Sequence, residues 1–576
     1  MTIKYLLYGS LLAMSVSCSD ILNKKDLSAV TDDQVWGDAK YATAYLNRLY
    51  ENNLPKWDGE ADGDDADADG NIDVTLPYFS SYSDESGGGD AYLYGQLTTA
   101  SVDYWYYGCI RNINLLFEKL ENNLAIDAET CTSLKAQASI LRAWRYFGMV
   151  RVYGGMPIIL KPQKLTDDLL VTRNKTSECI DIILQDLDYA YENLPWSWTG
   201  EDLGRATKAA ALAFKGRVLL YYASPQFNPD NHTDRWETAY KVNKQAKEEL
   251  EANGYGLYPN YENLWYDEMN KEVVWGRRYQ EPGAVNYWNA STRPLSEAQN
   301  HAGANHPTLE MVESYPMITG VPISESEDYD PTLYWKNRDP RFKATVAYNS
   351  CTWELSGKSG RKQWTYVGAE LNMPTSTGFY CRKAVDPSFT PYYTERSSTD
   401  WIEIRYAEVL LNYAECAAMI GKTDEAYAVL EAIRERAGIL AGNNGMYGLK
   451  ENMSSDQMVE AIMLERKIEL AFEGKRYWDL RRRRLFASEL NGKVRHGIQP
   501  KLNIPEEEFN KIKDTVDFEN NYGTYFRDSL VVLDKKFTID FKDNYYFYAI
   551  PNKYLETNSQ MEQTQGWSGG TFNPLD

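Results

Sequence analysis

Four aspartates at regular spacing are the first residues that could do chemistry. In "DADADGNID", Asp65, Asp67 and Asp69 stand at positions 1, 3 and 5 of a calcium-binding loop, with Gly70 at position 6 and Asp73 at position 9. Position 12, which normally supplies a bidentate glutamate, is Leu76, and no helix clearly precedes the run. The spacing therefore has two readings: a structural Ca²⁺ site formed by Asp65, Asp67, Asp69 and Asp73, or a solvated acidic loop. No other cofactor is expected. No catalytic spacing accompanies it. The four histidines, His232, His301, His306 and His496, form no HExxH. "SGKSG" has Thr352 where a phosphate-binding loop needs its first glycine, and there is no GxSxG. A glycosidase pair of carboxylates is a matter of geometry, about 5–10 Å apart, and spacing does not show it.

Two aromatic loops carry a different chemistry. "LPYFSSYSDESGGGDAYLYGQ" sets Tyr78, Phe79, Tyr82, Tyr92 and Tyr94 around a Gly-rich run. "RRYQEPGAVNYWNASTRP" sets Tyr279, Tyr287 and Trp288 beside Asn286 and Asn289. A sugar ring has apolar C–H faces rimmed by hydroxyls. A flat aromatic plate with a few amide, carboxylate or guanidinium partners complements it. The expected carbohydrate contacts are Trp288, Tyr287, Asn289 and Tyr279 first, then Tyr82, Tyr92 and Tyr94, with Trp353 and Trp364 as weaker candidates. Each ring has a competing reading as packing between loop and scaffold; at least one ring per loop is expected to be exposed. Arg277, Arg278 and Arg293 stand near the first site and could offset local acidity.

A third signal lies at the N-terminus. Lys4 precedes an apolar run from Tyr5 to Val16, and small residues lead to Cys18. The run suits a signal peptide and is too short for a bilayer span of about 20 residues. A cysteine at the new N-terminus can be acylated, and each buried lipid CH₂ adds about 0.8 kcal/mol of anchoring. The stretch resembles a bacterial lipobox, with Ser15 where leucine is usual, and Cys18 is the expected lipidation site.

The elements that must position these loops are helical. In "TDEAYAVLEAIRERAGI", Ala426, Val429, Leu430, Ile433 and Ala437 share one helix face. Thr423 and Asp424 are expected to cap its start and Gly438 its end. "EIRYAEVLLNYAECAAMIG" reads as its antiparallel partner. Further helices are expected over about 37–51, 104–122, 131–152, 176–194, 206–223, 234–252 and 456–482. In the 206–223 helix, Ala209, Leu212, Ala213, Gly216 and Leu220 share a face whose small residues invite close packing, and Ser224-Pro225 ends it. Periodicity supports stacked helical pairs but matches the tetratricopeptide consensus poorly. From about 255 to 400 the helical period fades; "EVVWGRRY" reads as a short strand there, and "DNYYFYAIP" as an extended run later. The fold class is mainly α: a scaffold of helical pairs carrying long irregular loops and a few short strands.

Composition narrows the partners. The 576 residues carry a net charge of −22, which opposes nucleic acid and anionic lipid surfaces. Aromatics make up 13%, with 44 Tyr and 16 Trp. Of seven cysteines, Cys109, Cys179 and Cys416 fall on apolar helix faces and read as buried hydrophobes. Cys351 and Cys381 lie in the loop-rich part, either as buried thiols or as a pair.

The motifs "YYGCIRNINLLFE", "LRAWRYFGMVRVYGGMPII", "DLDYAYENLP", "GRATKAAALAFKGRVLLYYASPQFNP", "IRYAEVLLNYAECAAMIGKTDEAYAVLEAIRERAGI", "LERKIELAFEGKRYWDLRR" and "YYFYAIP" follow one another in that order. Together they resemble the SusD/RagB family of outer-membrane nutrient-binding lipoproteins of Bacteroidetes, over nearly the whole chain from about residue 25. The resemblance implies a tetratricopeptide-like scaffold with loops on one side. It implies a lipid anchor on Cys18 at the cell surface and capture of oligosaccharides. It also implies delivery to a SusC-like TonB-dependent transporter, for which the protein acts as lid. It implies no catalysis. The expected organisation is a signal peptide over 1–17, a tether over 18–30, an N-terminal helical region over 31–255 and a C-terminal region over 256–576. Within the last, 256–400 is the loop-rich ligand-binding part and 401–482 holds helical hairpins. A RagB-like peptide binder is the alternative; exposed aromatic plates favour glycan. Glu473, Arg476 and Asp479 in "EGKRYWDLRR" belong to the scaffold, where their helical spacing suits buried ion pairs.

Overall fold

Amphipathic helices bury their apolar faces by stacking on one another, and that stack is the body of the protein. The computed structural model describes residues 32–60 and 78–576. Cys18 and the run with Asp65, Asp67, Asp69 and Asp73 lie outside the described residues. The scaffold begins with α1 (Ala39–Asn53), α2 (Tyr107–Leu120), α3 (Ala128–Tyr153), α4 (Thr176–Asn193), α5 (Lys208–Ala223) and α6 (Thr233–Ala252). Strand β1 (Val273–Arg277) and a short helix, α7 (Trp288–Thr292), follow within the loop-rich part. Strand β2 (Trp401–Arg405) leads back into α8 (Tyr406–Met419), α9 (Thr423–Ala437), α10 (Ser455–Glu469) and α11 (Lys475–Arg482). A hairpin of β3 (His496–Leu502) and β4 (Phe526–Val532) lies in the C-terminal part.

Sequential helices pack in order, α3 on α4, α4 on α5 and α5 on α6; α8 then joins the stack against α6 and α9. Helix α3 is buried around nearly all of its C-terminal half, its arginines included. Its Arg142 is neutralised by Asp186 of α4 at 2.7 Å. The small-residue face of α5 does what its sequence suggested. A Cβ on Gly216 would lie 2.4 Å from Asn243 Oδ1 of α6, so a larger residue would have to displace the buried Asn243 side chain from the helix contact.

The structure departs from the expected elements in four places. Glu403 to Arg405 extend the strand β2 before α8 starts, because β1 pairs antiparallel with them from Val273↔Arg405 to Arg277↔Trp401. The helix expected over 456–482 is two helices, broken before Gly474, which adopts a left-handed φ of 68°. Helix α9 starts after Lys422 without a side-chain cap from Thr423 or Asp424, whereas Gly438 closes it at φ 86° as expected. The "DNYYFYAIP" run opens as a 3₁₀ turn over Asp543–Tyr546 and joins no strand; its rings pack into the core instead.

The break before Gly474 serves a buried charge cluster. Arg405, at the end of β2, bonds Glu272 and Glu469 at 2.6 Å each and Glu473 at 2.8 Å. Arg341 reaches Glu465 at 2.6 Å and Glu469 at 2.8 Å. Arg476 pairs with Asp84, and Asp479 with Arg466 and Arg482, all at 2.8 Å. The "EGKRYWDLRR" charges are thus buried scaffold pairs. Removing one partner of such a pair costs about 3–5 kcal/mol. A second apolar core fills the loop-rich part around Trp57, Trp265, Trp288, Trp335, Trp353 and Trp401. Cys351 and Cys381 both sit in it as buried free thiols.

Candidate functional site

The chain leaving β1 and the chain entering β2 run side by side, and together they build an aromatic surface. Asn286 N–H donates to Ser397 O at 2.9 Å, and Ser397 N–H returns a bond to Asn286 O at 3.2 Å. Asn286 Nδ2 adds a bond to Thr399 O at 2.9 Å. Tyr279 N–H donates to Asp400 Oδ1 at 2.7 Å. Burial pushes the Asp400 carboxyl up to about 7, against the pull of that amide. With this frame fixed, α7 packs against a 3₁₀ turn over Pro391–Arg396.

On that frame three tyrosines face outward: Tyr287 is 51% exposed, Tyr392 51% and Tyr393 49%. Tyr287 lies 5.2 Å, centroid to centroid, from the His301 ring. His301 Nδ1 is 2.8 Å from Glu395 Oε1, and the Asn300 amide donates to the same oxygen at 2.9 Å. Burial alone would raise the Glu395 carboxyl, but bonds from His301 and Asn300 outweigh it and hold it below its ordinary value. Tyr392 and Tyr393 meet edge to face at 5.1 Å and 86°, so their open faces lie at right angles. The Arg396 guanidinium lies 5.0 Å from the Tyr392 ring and its Nη1 donates to Glu281 at 3.4 Å. The result is an open platform of aromatic faces edged by an ionised carboxylate, an imidazole, an amide and a guanidinium. Such a surface can stack flat apolar faces and hydrogen-bond hydroxyls around them.

Of the residues expected there, only Tyr287 takes part. Trp288, next to it, is 3% exposed. Its ring stacks on Trp57 at 4.5 Å and its Nε1–H donates to Lys383 O at 3.0 Å. The turn into α7 points neighbouring residues in opposite directions, and the larger, more apolar ring takes the core. Asn289 is wholly buried, donating to Ser397 Oγ at 3.0 Å and accepting from Arg293 at 3.1 Å. Tyr279 is buried with its hydroxyl on Glu60 at 2.8 Å. Arg293 is buried on the carbonyls of Phe389 and Asp386. Arg277 is tied to Glu51 O at 2.7 Å, and Arg278 is paired with Glu268 at 3.4 Å. These arginines therefore hold the loops rather than front a ligand. Trp353 is buried, and Trp364 is half-buried against Phe509, Phe518 and Phe526.

The 78–94 loop is turned inward. Tyr82 and Tyr92 are half-buried and stack on each other at 3.9 Å, braced by Tyr477 and Tyr548. Tyr94 is half-buried, bonded to Asp534 and packed 5.6 Å from Phe537. Arg495 explains the fold of this loop. Its guanidinium donates to the carbonyls of Ser81, Ser83, Ser86 and Gly88 at 2.6–3.2 Å while paired with Asp534 at 2.8 Å. Gly89 closes the turn at φ +89°, where a Cβ would sit 2.0 Å from Ser81 O.

Sequence reasoning missed Tyr392, Tyr393, His301 and Asn300. A usable signal was present in "FTPYYTER": the proline sets a turn, turns run over the surface, and the two tyrosines sit within it. Among the described residues no group of three or more His, Cys, Asp or Glu is placed to hold a metal ion, and no helix is long and apolar enough to cross a membrane.

This architecture is shared with known proteins. A SusD-like protein of Formosa agariphila is 26% identical over 486 residues, covering 81% of this chain and 88% of that one. A SusD-like protein of Bacteroides ovatus is 23% identical, covering 65% of this chain and 64% of that one. The crystal structure of a SusD-like protein from Bacteroides fragilis superposes with a TM-score of 0.74 at 24% identity, covering 93% of this chain and 99% of that one. A structure described as a laminarin-binding SusD-like protein matches with a TM-score of 0.55 at 19% identity, covering 92% of this chain and 99% of that one. The family model described as starch-binding and associating with the outer membrane matches residues 79–220. The SusD family model matches residues 271–567, more than half of the sequence, and the chain belongs to that family.

Proposed function

We propose that the protein is a cell-surface glycan-binding lipoprotein that captures oligosaccharides on the Tyr287, Tyr392 and Tyr393 platform. The exposed tyrosine platform carries the reading. Three half-exposed rings on adjoining segments offer faces on which a ligand can stack. Their edges offer Glu395, His301, Asn300 and Arg396, a set that matches sugar hydroxyls. The family supports the same ligand class: one model is described as starch-binding, and one structural neighbour is described as laminarin-binding. Neither matching family model describes a catalytic function, in keeping with capture and without hydrolysis.

The remaining parts of the reading follow from the family resemblance and from the N-terminal sequence. Acylation of Cys18 tethers the mature chain to the outer membrane. The captured glycan passes to a SusC-like TonB-dependent transporter, over which the protein closes as a lid. The acidic run with Asp65, Asp67, Asp69 and Asp73 is a proposed structural Ca²⁺ loop, to be tested by calorimetric titration of the metal-free chain.

Affinity electrophoresis through gels cast with single polysaccharides tests the capture step, using the chain from Ser19 onward. Retardation by at least one glycan is expected, and loss of that retardation in Tyr287→Ala places it at the platform. A protein that no glycan retards, but that binds oligopeptides by calorimetry, would replace the reading with peptide capture.

A further inference from the structure

A second aromatic site lies on the scaffold side, built from segments that the platform does not use. The turn after α4, the end of α6 and the outer side of β1 enclose a cleft of about 350 Å³. That volume is within the range of small-ligand sites, about 300–1,000 Å³. Trp196, Trp198 and Tyr255 line it, with Trp275 of β1 and Lys271. The rings are held from behind: Trp198 Nε1–H donates to Ala206 O at 2.8 Å, and the Tyr255 hydroxyl to Trp196 O at 3.2 Å. Both tryptophans are half-buried against the helical core, and among the described residues no other ring stacks on either.

Trp275 adds an independent observation. It is 2% exposed, wedged against Trp144 and Phe214, and its indole N–H finds no acceptor among the described residues. Leaving a buried donor unpaired is unfavourable, and an acceptor that reached it would relieve that. Lys271 is exposed and makes no ion pair among the described residues. No aspartate or glutamate lines the cleft, despite a net charge of −22 over the chain.

We propose that this cleft is a second carbohydrate site that takes a single pyranose residue between Trp196 and Trp198. The ring's C–H face packs on indole and its hydroxyls meet Lys271 and the Trp275 N–H. The choice of a sugar rests on the reading of the chain as a glycan binder; the existence of the site rests on the cleft alone. The two sites differ in a way that an experiment can use, since the platform is built of tyrosine and the cleft of tryptophan.

Protein labelled with 5-fluorotryptophan, its Trp196 and Trp198 signals assigned through Trp→Phe variants, is titrated by ¹⁹F NMR. The probes are the methyl glycosides of glucose, galactose, mannose, xylose, fucose, rhamnose, N-acetylglucosamine and glucuronic acid. At least one is expected to shift Trp196 or Trp198 saturably, and equally in a Tyr287→Ala/Tyr393→Ala variant. Trp198→Ala should weaken the Trp196 response at least tenfold, and Lys271→Ala, which leaves the core untouched, should weaken it by a smaller factor. No shift with any glycoside overturns the proposal. A shift that vanishes in the platform variant does so too. Loss of polysaccharide retardation in the platform variant, with the ¹⁹F response intact, separates the two sites. Absence of retardation in the unmodified protein with the response intact overturns the platform reading alone.

Discussion

The 78–94 loop and the segment around Tyr287 look alike in sequence and end in opposite roles. Both set several aromatic rings among small and polar residues, and both sit between scaffold elements. In the first, a buried arginine from a distant part of the chain, Arg495, takes four loop carbonyls, and Tyr82, Tyr92 and Tyr94 fold inward onto the scaffold. In the second, bonds between Asn286 and Ser397 and the buried ring of Trp288 fix the base, while Tyr287, Tyr392 and Tyr393 stay outside. What separates a packing aromatic from a presenting one is the set of anchors around it.

Removing an anchor should therefore do more than removing a presented ring. Arg495→Ala leaves Asp534 unpaired and the loop carbonyls without a donor. It should destabilise the chain by about 3–5 kcal/mol in urea unfolding. A loss below about 1 kcal/mol would show that the loop is held by its tyrosines instead. Trp288→Ala opens a cavity beside Trp57 and should cost about 3–5 kcal/mol of stability. If it instead left stability unchanged and removed glycan binding, the two faces of α7 would have been assigned the wrong way round.

The 78–94 loop also carries a pH signature, of the same sign as that of Asp400 beneath the platform. Glu85 is fully buried, with one carboxyl oxygen accepting from the Phe472 amide at 3.0 Å, and burial pushes it up from 4.5 to about 8. A carboxyl whose pKa is higher in the folded chain keeps its proton longer there. Its contribution is complete below the unfolded value of 4.5 and is lost as pH rises toward about 8. Thermal stability is expected to fall over that window, and Glu85→Gln should flatten part of the fall. An unchanged slope in the variant would assign the pH dependence to other groups. The smallest effects on stability belong to the platform. Tyr287→Ala and Tyr393→Ala should each weaken glycan binding by about 1–3 kcal/mol, by analogy with base stacking, which is tenfold or more near the middle of that range. Stability should stay within about 0.5 kcal/mol of the unmodified protein. A platform variant that unfolds would make those rings structural after all.

The scaffold was legible because helices write a period into the sequence. The apolar faces of "TDEAYAVLEAIRERAGI" and "GRATKAAALAFKGRVLLYYA" bury as spaced, and Gly216 meets Asn243 at the contact its size foretold. The strand at Glu403 was hidden because its partner lies more than a hundred residues away, and the break before Gly474 because the charges gathered there, Glu272, Arg341 and Arg405, come from distant parts of the chain. The site was half legible for a similar reason. Tyr287 and Trp288 are adjacent and equally attractive as plates, and only the cluster of Trp57, Trp265 and Trp401 decides which one goes inside. Tyr392 and Tyr393 join Tyr287 through His301 and Glu395, a contact between distant segments that no local pattern records.

A crystal structure of the protein with the glycan that retards it tests the central claim most directly. The expected result is a sugar ring stacked on Tyr287, Tyr392 or Tyr393, with its hydroxyls bonded among Glu395, His301, Asn300 and Arg396. A glycan seated instead against Tyr82, Tyr92 or Tyr94, with the platform empty, would contradict it.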